Sequence, residues 1–196
     1  MVRRKHIWIL FCIFTVMLTG CKSKNADIDA ILMANYLSTC PENSRYGIYD
    51  VNSDGVYELL VAENNSHVNG VDIITINPKS HELTNVGCFG SWGRLTCYPK
   101  TGRLISGYLN QGCSEDFVYE ISDGEAKIVA TFWDNSGTLD DVYEYKINDV
   151  LVSEEKYNEE LIKYYSDEGK LDVGYDDFMT IRDYDTNVEN IKSQMK

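Results

Sequence analysis

Nine short runs of β-favouring residues, separated by turn residues, constrain the fold of this chain more than any other feature of its sequence. The runs are rich in Val, Ile, Leu, Tyr and Phe and lie at 46–51, 57–62, 71–76, 83–89, 94–98, 104–109, 117–121, 127–133 and 142–147. Segments 77–80, 99–102 and 122–124 between them have the Pro, Gly, Asn or Asp content of hairpin turns. Strands joined by such short turns are antiparallel neighbours, so the middle of the chain is predicted to form an antiparallel β-meander.

Helices are predicted on both sides of this meander. Apolar residues recur at helical spacing over residues 27–37, which indicates a first amphipathic helix. Ser153 is a suitable N-cap for a second helix that stops by Gly169. Residues 187–196 are expected to form a short closing helix. The prediction is therefore a single globular α+β domain over residues 26–196, with an N-terminal helix and one or two C-terminal helices flanking the meander.

The first twenty residues have the anatomy of an export signal. Three basic residues at 3–5 precede an apolar run of twelve residues at 7–18, which is too short for a membrane span of about 20 helical residues. The run ends in Leu18-Thr19-Gly20-Cys21, which resembles the lipobox of bacterial lipoproteins. Residues 1–20 are therefore predicted to be a lipoprotein signal peptide.

The lipobox resemblance implies that Cys21 receives diacylglycerol and becomes the mature N-terminus, followed by a short polar tether to residue 25. Because two acyl chains give stable anchoring, the expected location is extracytoplasmic, on the cell surface, with the lipid on Cys21 holding the protein to the membrane. The alternative is an ordinary secretory signal in which Cys21 is an unmodified thiol.

The charge of the chain excludes nucleic acid as a partner. Eighteen Lys and Arg residues stand against 31 Asp and Glu residues, a formal net charge of −13, whereas a protein that binds nucleic acid needs clustered basic residues. Removal of residues 1–20 would take away three basic residues and no acid, leaving a charge of −16. Anionic headgroups repel such a body, so only the lipid is expected to attach it to the membrane.

One motif has the residue pattern of a metal-binding loop: the series D-x-N-x-D-G-x-x-E that starts at Asp50. A hard cation such as calcium needs six to eight oxygen atoms, and oxygen-bearing side chains at alternate loop positions can supply several of them. Gly55 would allow the sharp turn. Glu58 would act directly or through water. The predicted metal ligands are the side chains of Asp50, Asn52, Asp54 and Glu58 and the backbone carbonyl of Val56.

The flanks of this loop determine which calcium motif it resembles. A helical EF-hand does not fit, because its twelfth position falls on Val61 and both flanks here are β-like. Residues 46–76 instead resemble the strand-loop-strand unit of FG-GAP and VCBS repeats, with Ser53 and Glu58 in place of the usual Gly and Asp. The single unit also resembles one in small surface lipoproteins of Gram-positive bacteria. A propeller is not predicted, since the sequence has no second copy, and a plain hairpin turn at 52–55 is the alternative.

The exported body has four cysteines, and their state is left open by the sequence. An exported chain permits two disulfides with three possible connectivities, and free thiols are the other alternative. Zinc is disfavoured because no CxxC pair is present. The possible disulfide cysteines are Cys40, Cys88, Cys97 and Cys113.

Two further patterns bear on function. Acidic doublets such as Glu115-Asp116 are predicted to be solvated surface. Aromatic residues in or beside the strands, Trp92 and Tyr108 among them, are expected mainly in the core, although exposed aromatic rings can also stack on sugars. The sequence thus predicts a non-enzymatic surface lipoprotein with one structural calcium ion. The alternative is an extracytoplasmic carbohydrate- or peptide-binding module that uses exposed aromatics of the sheet.

Overall fold

A computed structural model describes residues 26–63, 68–138, 142–165, 169–173 and 175–195. Over these ranges the chain forms three α-helices and two antiparallel sheets. The α+β class, the β-meander and the flanking helices predicted from the sequence are confirmed. The predicted signal peptide and Cys21 lie outside the described residues.

The helices and strands are short, as the spacing of the turn residues predicts. The helices are α1 (26–37), α2 (Glu154–Leu161) and α3 (Tyr184–Gln194). The strands are β1 (Arg45–Tyr49), β2 (Glu58–Ala62), β3 (Val71–Ile76), β4 (Leu83–Phe89), β5 (Gly93–Tyr98), β6 (Arg103–Asn110), β7 (Cys113–Ser122), β8 (Glu125–Asp134), β9 (Tyr145–Ile147), β10 (Val150–Val152), β11 (Leu171–Val173) and β12 (Met179–Thr180).

The strands divide between two sheets. The first sheet has the order β12-β1-β2-β3-β4, and the second has the order β10-β9-β8-β7-β6-β5-β11. The turn after β4 carries the chain from the first sheet to the second. The edge strands β10, β11 and β12 were not predicted from the sequence. They pair with β9, β5 and β1 over only three, three and two residues, too few for a periodic pattern to stand out.

The first sheet packs on two helices. Because successive side chains of a strand point to opposite faces, alternate residues such as Tyr46, Ile48 and Leu59 face α1 and α3. The two helices bury Met33, Leu37 and Ile191 against them, with no exposed surface on these three side chains. The N-terminal and C-terminal ends of the domain therefore share one hydrophobic core.

The opposite face of the first sheet packs on the second sheet. Leu60 and Ile73 of the first sheet meet Leu95, Cys97 and Leu104 of the second. Every residue of β2 is buried, because that strand lies in the middle of the first sheet with helices on one face and the second sheet on the other. Burial on both faces explains why its sequence is a continuous apolar run after Glu58 and does not alternate.

The remaining face of the second sheet packs on α2. The Ser153 side chain accepts a hydrogen bond from the Lys156 backbone N–H, which confirms the predicted N-cap. Tyr157 of α2 meets Phe132 of β8 in an edge-to-face contact with ring centroids 5.6 Å apart. The order of layers is therefore α1 and α3, first sheet, second sheet, α2.

Candidate metal loop and candidate ligand pocket

The predicted metal loop joins β1 to β2 and is held by its own polar side chains. Asp50 Oδ1 accepts from the Asp54 backbone N–H at 3.2 Å, and Asp50 Oδ2 accepts from the Gly55 N–H at 3.1 Å. Asn52 Oδ1 also accepts from the Asp54 N–H, and Asp54 Oδ1 accepts from the Val56 N–H at 2.8 Å. The structure therefore brings Asp50, Asn52 and Asp54 together on one tight loop.

Gly55 has the conformation that the motif requires. Its φ is +85°, in the left-handed region that glycine enters without the steric cost of a Cβ atom. The preceding Ser53 also has a positive φ, of 57°. The reversal of the chain at 53–55 therefore fits the expected turn, whether or not the loop holds an ion.

Glu58 lies beneath this loop, on the side that faces the second sheet, and only 1% of its surface is exposed. Its Oε2 accepts from the Val51 backbone N–H at 2.9 Å, and its Oε1 accepts from the Thr75 hydroxyl at 3.1 Å. Burial raises the pKa of this carboxyl to about 7 against the opposing effect of these two hydrogen bonds, and the charges of Asp54 and Asp50 raise it further. Glu58 thus supports the loop from inside the protein.

The loop does not present three converging carboxylates. Among the described residues, no three His, Cys, Asp or Glu side chains have an arrangement that could hold a metal ion. Asp50 and Asp54 offer carboxylates and Asn52 an amide oxygen on the outside, while both oxygens of Glu58 are hydrogen-bonded on the inside. The donor set is composed of the hard oxygen atoms that calcium prefers, but water has to complete the coordination.

A cavity of about 310 Å³ lies beside the loop and connects it to the second sheet. Asp54 and Val56 line it from the loop, Thr75 from β3, and Asp123 and Gly124 from the turn between β7 and β8. The sequence analysis did not associate Asp123 with the loop, because the two are 69 positions apart and only the packing of the two sheets brings them to one cavity.

A second cavity, of about 490 Å³, lies on the outer face of the second sheet. Strand alternation places Arg94, Gly107 and Asp116 on the face that α2 covers at Ile105 and Val118. This cavity is named the outer pocket here. Its lining residues are Trp92, Gly93, Arg94, Gly107, Tyr108, Leu109, Ser114 and Asp116.

An ion pair between the exposed Arg94 and the buried Asp116 forms one wall of the outer pocket. Asp116 is 4% exposed, and its Oδ2 accepts from Arg94 Nη2 at 2.9 Å and from the Tyr165 hydroxyl at 2.5 Å. Burial, followed by the Asp116 charge, raises the pKa of Tyr165, so this hydroxyl remains a protonated donor. The expectation that Asp116 is solvated surface is wrong, because its side chain points to the α2 face of β7 and meets Arg94 from β5.

Gly107 permits that contact. It lies on β6, between the strands of Arg94 and Asp116. A Cβ atom at this position would be 2.6 Å from Asp116 Oδ1 and 2.8 Å from Arg94 Cγ, closer than side-chain atoms pack. The arginine and the aspartate can therefore meet across an intervening strand only because that strand has a glycine here.

Several of the strand aromatic residues lie in the core, as expected, whereas Trp92 and Tyr108 line the outer pocket. Tyr98 is buried, and Tyr119 packs edge-to-face on Phe89 with centroids 5.0 Å apart. Trp92 is 55% exposed in the turn before β5 and has a φ of 60°. A bulky residue is uncommon at a positive φ, so the turn holds this indole at a steric cost.

The four cysteines among the described residues, Cys40, Cys88, Cys97 and Cys113, are free thiols in the structure. Cys97 is buried between the sheets, where burial raises its pKa to about 12. The exposed Cys88 contacts the Asn69 carbonyl at 3.2 Å, and Cys40 contacts the Tyr36 carbonyl at 3.6 Å. Whether disulfides form in the exported protein stays a prediction.

Comparison with known proteins adds no assignment: no protein-family model, no curated protein and no solved structure matches this chain. The resemblance of residues 46–76 to a calcium repeat unit therefore stays a prediction from the sequence. Among the described residues, no helix has the length and apolar character needed to cross a bilayer.

Proposed function

We propose that this chain is a non-enzymatic surface lipoprotein that is anchored through lipid on Cys21 and holds one structural calcium ion at the loop between β1 and β2. The observation that carries the calcium proposal is the order of donors in that loop. Asp50, Asn52 and Asp54 lie on one turn of five residues closed by their own hydrogen bonds, with Gly55 at a φ of +85°.

The charge around the loop also favours a cation. Two carboxylates lie on its outer side and a third, that of Glu58, lies beneath it. Burial raises the pKa of Glu58, and repulsion from Asp54 and Asp50 contributes to a smaller extent; a divalent cation would oppose both effects by favouring the charged carboxylate. The side chains of Asp50, Asn52 and Asp54 and the carbonyl of Val56 would bind the ion, while Glu58 would act on it indirectly.

The structural role assigned to the ion follows from the position of the loop. It connects two strands in the middle of the first sheet, so fixing the loop would fix the pairing of β1 with β2. With few charged protein ligands, the affinity is expected in the range of extracellular modules, about 0.1 to 1 mM. That range is sufficient outside a cell, where calcium is abundant.

The test is the melting temperature of residues 22–196 in chelator and in calcium at about 10 mM, roughly tenfold the weak end of this affinity range. Preferential binding to the folded state is then expected to add about 1.4 to 2.7 kcal/mol. Asp54→Asn retains an oxygen for the turn hydrogen bond to Val56 but loses the charge, so it should abolish most of the increment. If the loop is only a hairpin turn, calcium should not raise the melting temperature of the native protein or of the variant.

The matched control is Asp149→Asn. Asp149 also lies in a hairpin turn and has a φ of 64°, but it belongs to the connection between β9 and β10 of the second sheet. Its substitution should leave the calcium increment intact. A melting temperature that does not respond to calcium in the native protein contradicts the metal part of the proposal.

The anchor is tested separately with Cys21→Ser in the full-length chain. Without a thiol, no thioether to diacylglycerol can form, so lipid labelling should vanish and the protein should leave the membrane fraction. A variant that keeps its acyl label refutes the position of the anchor, and this result does not depend on calcium.

A further inference from the structure

The outer pocket has the size and position of a small-molecule site that the proposed calcium loop does not use. Ligand pockets generally have volumes of about 300 to 1,000 Å³, and this one has about 490 Å³. It lies on the face of the second sheet that points away from the first sheet. The metal loop belongs to the first sheet, so the two sites are structurally independent.

The ion pair in its wall has unused hydrogen-bonding capacity on both sides. Among the described residues, Asp116 accepts only at Oδ2, which leaves Oδ1 without a donor. Arg94 donates only from Nη2, and 58% of its side chain is exposed. An acceptor and a charged donor are thus available next to each other, and hydrogen bonds to charged groups are the strong ones.

Trp92 adds an apolar plane to the edge of the same pocket. Its indole is exposed in spite of its large apolar area, and a positive φ holds it there. Leu109, whose backbone N–H donates to the Trp92 carbonyl, and its strand neighbour Ser114 also line the pocket. The pocket therefore combines the aromatic side chains of Trp92 and Tyr108 with a carboxylate, a guanidinium and a hydroxyl group.

We propose that the outer pocket binds a neutral saccharide. Neighbouring hydroxyls of a sugar can donate to Asp116 Oδ1 and accept from Arg94 at the same time, and the C–H face of a pyranose ring can stack on the Trp92 indole. An anionic ligand is disfavoured because the arginine is already neutralised by Asp116 and the chain is strongly acidic, with a net charge of −13. The ligand class follows from these three side chains.

The test is a titration of residues 21–196 carrying the substitution Cys21→Ser, which removes the proposed lipid site. The probes are neutral di- to tetrasaccharides of glucose, galactose, mannose and N-acetylglucosamine, with binding followed by calorimetry and tryptophan fluorescence. At least one probe is expected to bind and to shift the emission of Trp92 to shorter wavelength. The second tryptophan of the exported body, Trp133, lies under the Lys146 ammonium at 4.2 Å and serves as an internal reference.

Two variants locate the binding. Trp92→Gly is compatible with folding because glycine adopts a φ of 60° without strain, and it should weaken saccharide binding at least tenfold and abolish the fluorescence shift. Asp116→Asn should weaken binding by a similar factor. The control is Tyr143→Ala, since Tyr143 is 54% exposed, nearly the same as Trp92, but does not line the pocket; its affinity should equal that of the native protein.

Two results overturn the proposal. The first is that none of the neutral saccharides binds, whether or not a peptide binds the pocket. The second is saccharide binding that Trp92→Gly leaves unchanged. Calcium and chelator should give the same saccharide affinity, so a failure of the metal proposal and a failure of this one can be told apart.

Discussion

Replacement of Glu58 by glutamine is expected to stabilise the calcium-free protein above neutral pH. Glu58 is 1% exposed and its pKa is raised from 4.5 to about 7. At about 1.4 kcal/mol for each pKa unit, ionising this group costs about 3 kcal/mol more in the folded protein than in the unfolded chain. Gln has nearly the same shape, and its oxygen and NH₂ group can meet the Val51 N–H and the Thr75 hydroxyl.

The sign of the pH dependence follows from the raised pKa. The folded state keeps the proton of Glu58 up to about pH 7, whereas the unfolded chain releases it near pH 4.5. Native stability therefore falls as the pH rises from 4.5 to 7 through this one group. Glu58→Gln cannot ionise, so its stability relative to the native protein should rise over the same interval and level off above it.

The assay is urea unfolding of residues 22–196 in chelator at several pH values between 4 and 8, followed by circular dichroism. Near pH 4 the variant should equal the native protein or be less stable by about 1 kcal/mol, the value of an imperfect hydrogen bond. Near pH 8 it should be more stable by about 2 kcal/mol, the difference between the ionisation cost and that loss. Saturating calcium should reduce the advantage at pH 8, because a cation lowers the pKa of Glu58.

A pH-independent difference between variant and native protein refutes this reasoning. It would mean that Glu58 ionises as easily in the folded protein as in the unfolded chain, and therefore that water or another group solvates its carboxylate. A pH-dependent advantage that calcium leaves unchanged would confirm the buried carboxyl but count against an ion at the loop.

Three further predictions address the packing of the chain. Gly107→Ala should destabilise the protein by about 1 to 3 kcal/mol, measured by urea unfolding, because its Cβ would collide with Asp116 and Arg94; an unchanged stability would show that β6 can move away from the ion pair. Ser153→Ala should cost about 1 kcal/mol through loss of the α2 N-cap, and Ser153→Asp, which restores a capping oxygen, should recover it. Thiol titration of denatured, unreduced residues 22–196 should find four thiols if the cysteines stay free as in the structure, and none if two disulfides form.

Individual strands and helices were predictable from the sequence because each is indicated by residues that are close together in the chain. Nine of the strands, β1 to β9, follow from apolar runs and turn residues, and the start of α2 follows from Ser153 and the acids after it. The end of α2 was placed too far along the chain, since the helix stops at Leu161, well before Gly169. The start of α3 was placed too late, because Asp183, which caps it by accepting from Thr186, was not recognised.

The pairing of distant segments was not predictable in the same way. A single sheet and two stacked sheets require similar apolar runs. The spacing of apolar residues therefore does not show that the strands divide into two sheets. The Arg94–Asp116–Tyr165 cluster joins β5, β7 and the segment after α2. In the sequence Asp116 is recognisable only as part of an acidic doublet, which gives no sign of its two partners. At the predicted metal loop the structure brings Asp50, Asn52 and Asp54 together on one turn, but the inward position of Glu58 depends on Thr75 of a neighbouring strand.

The two edge strands near the C-terminus determine when this domain can finish folding. β11 completes the second sheet beside β5, and β12 completes the first sheet beside β1, with only a few residues between them. These contacts have high contact order, which slows folding. Until the last part of the chain has arrived, β1 and β5 present open backbone edges, which are templates for aggregation. A chain truncated before residue 171 is therefore expected to self-associate, so this protein tolerates shortening from its C-terminus poorly even though no predicted site residue lies there.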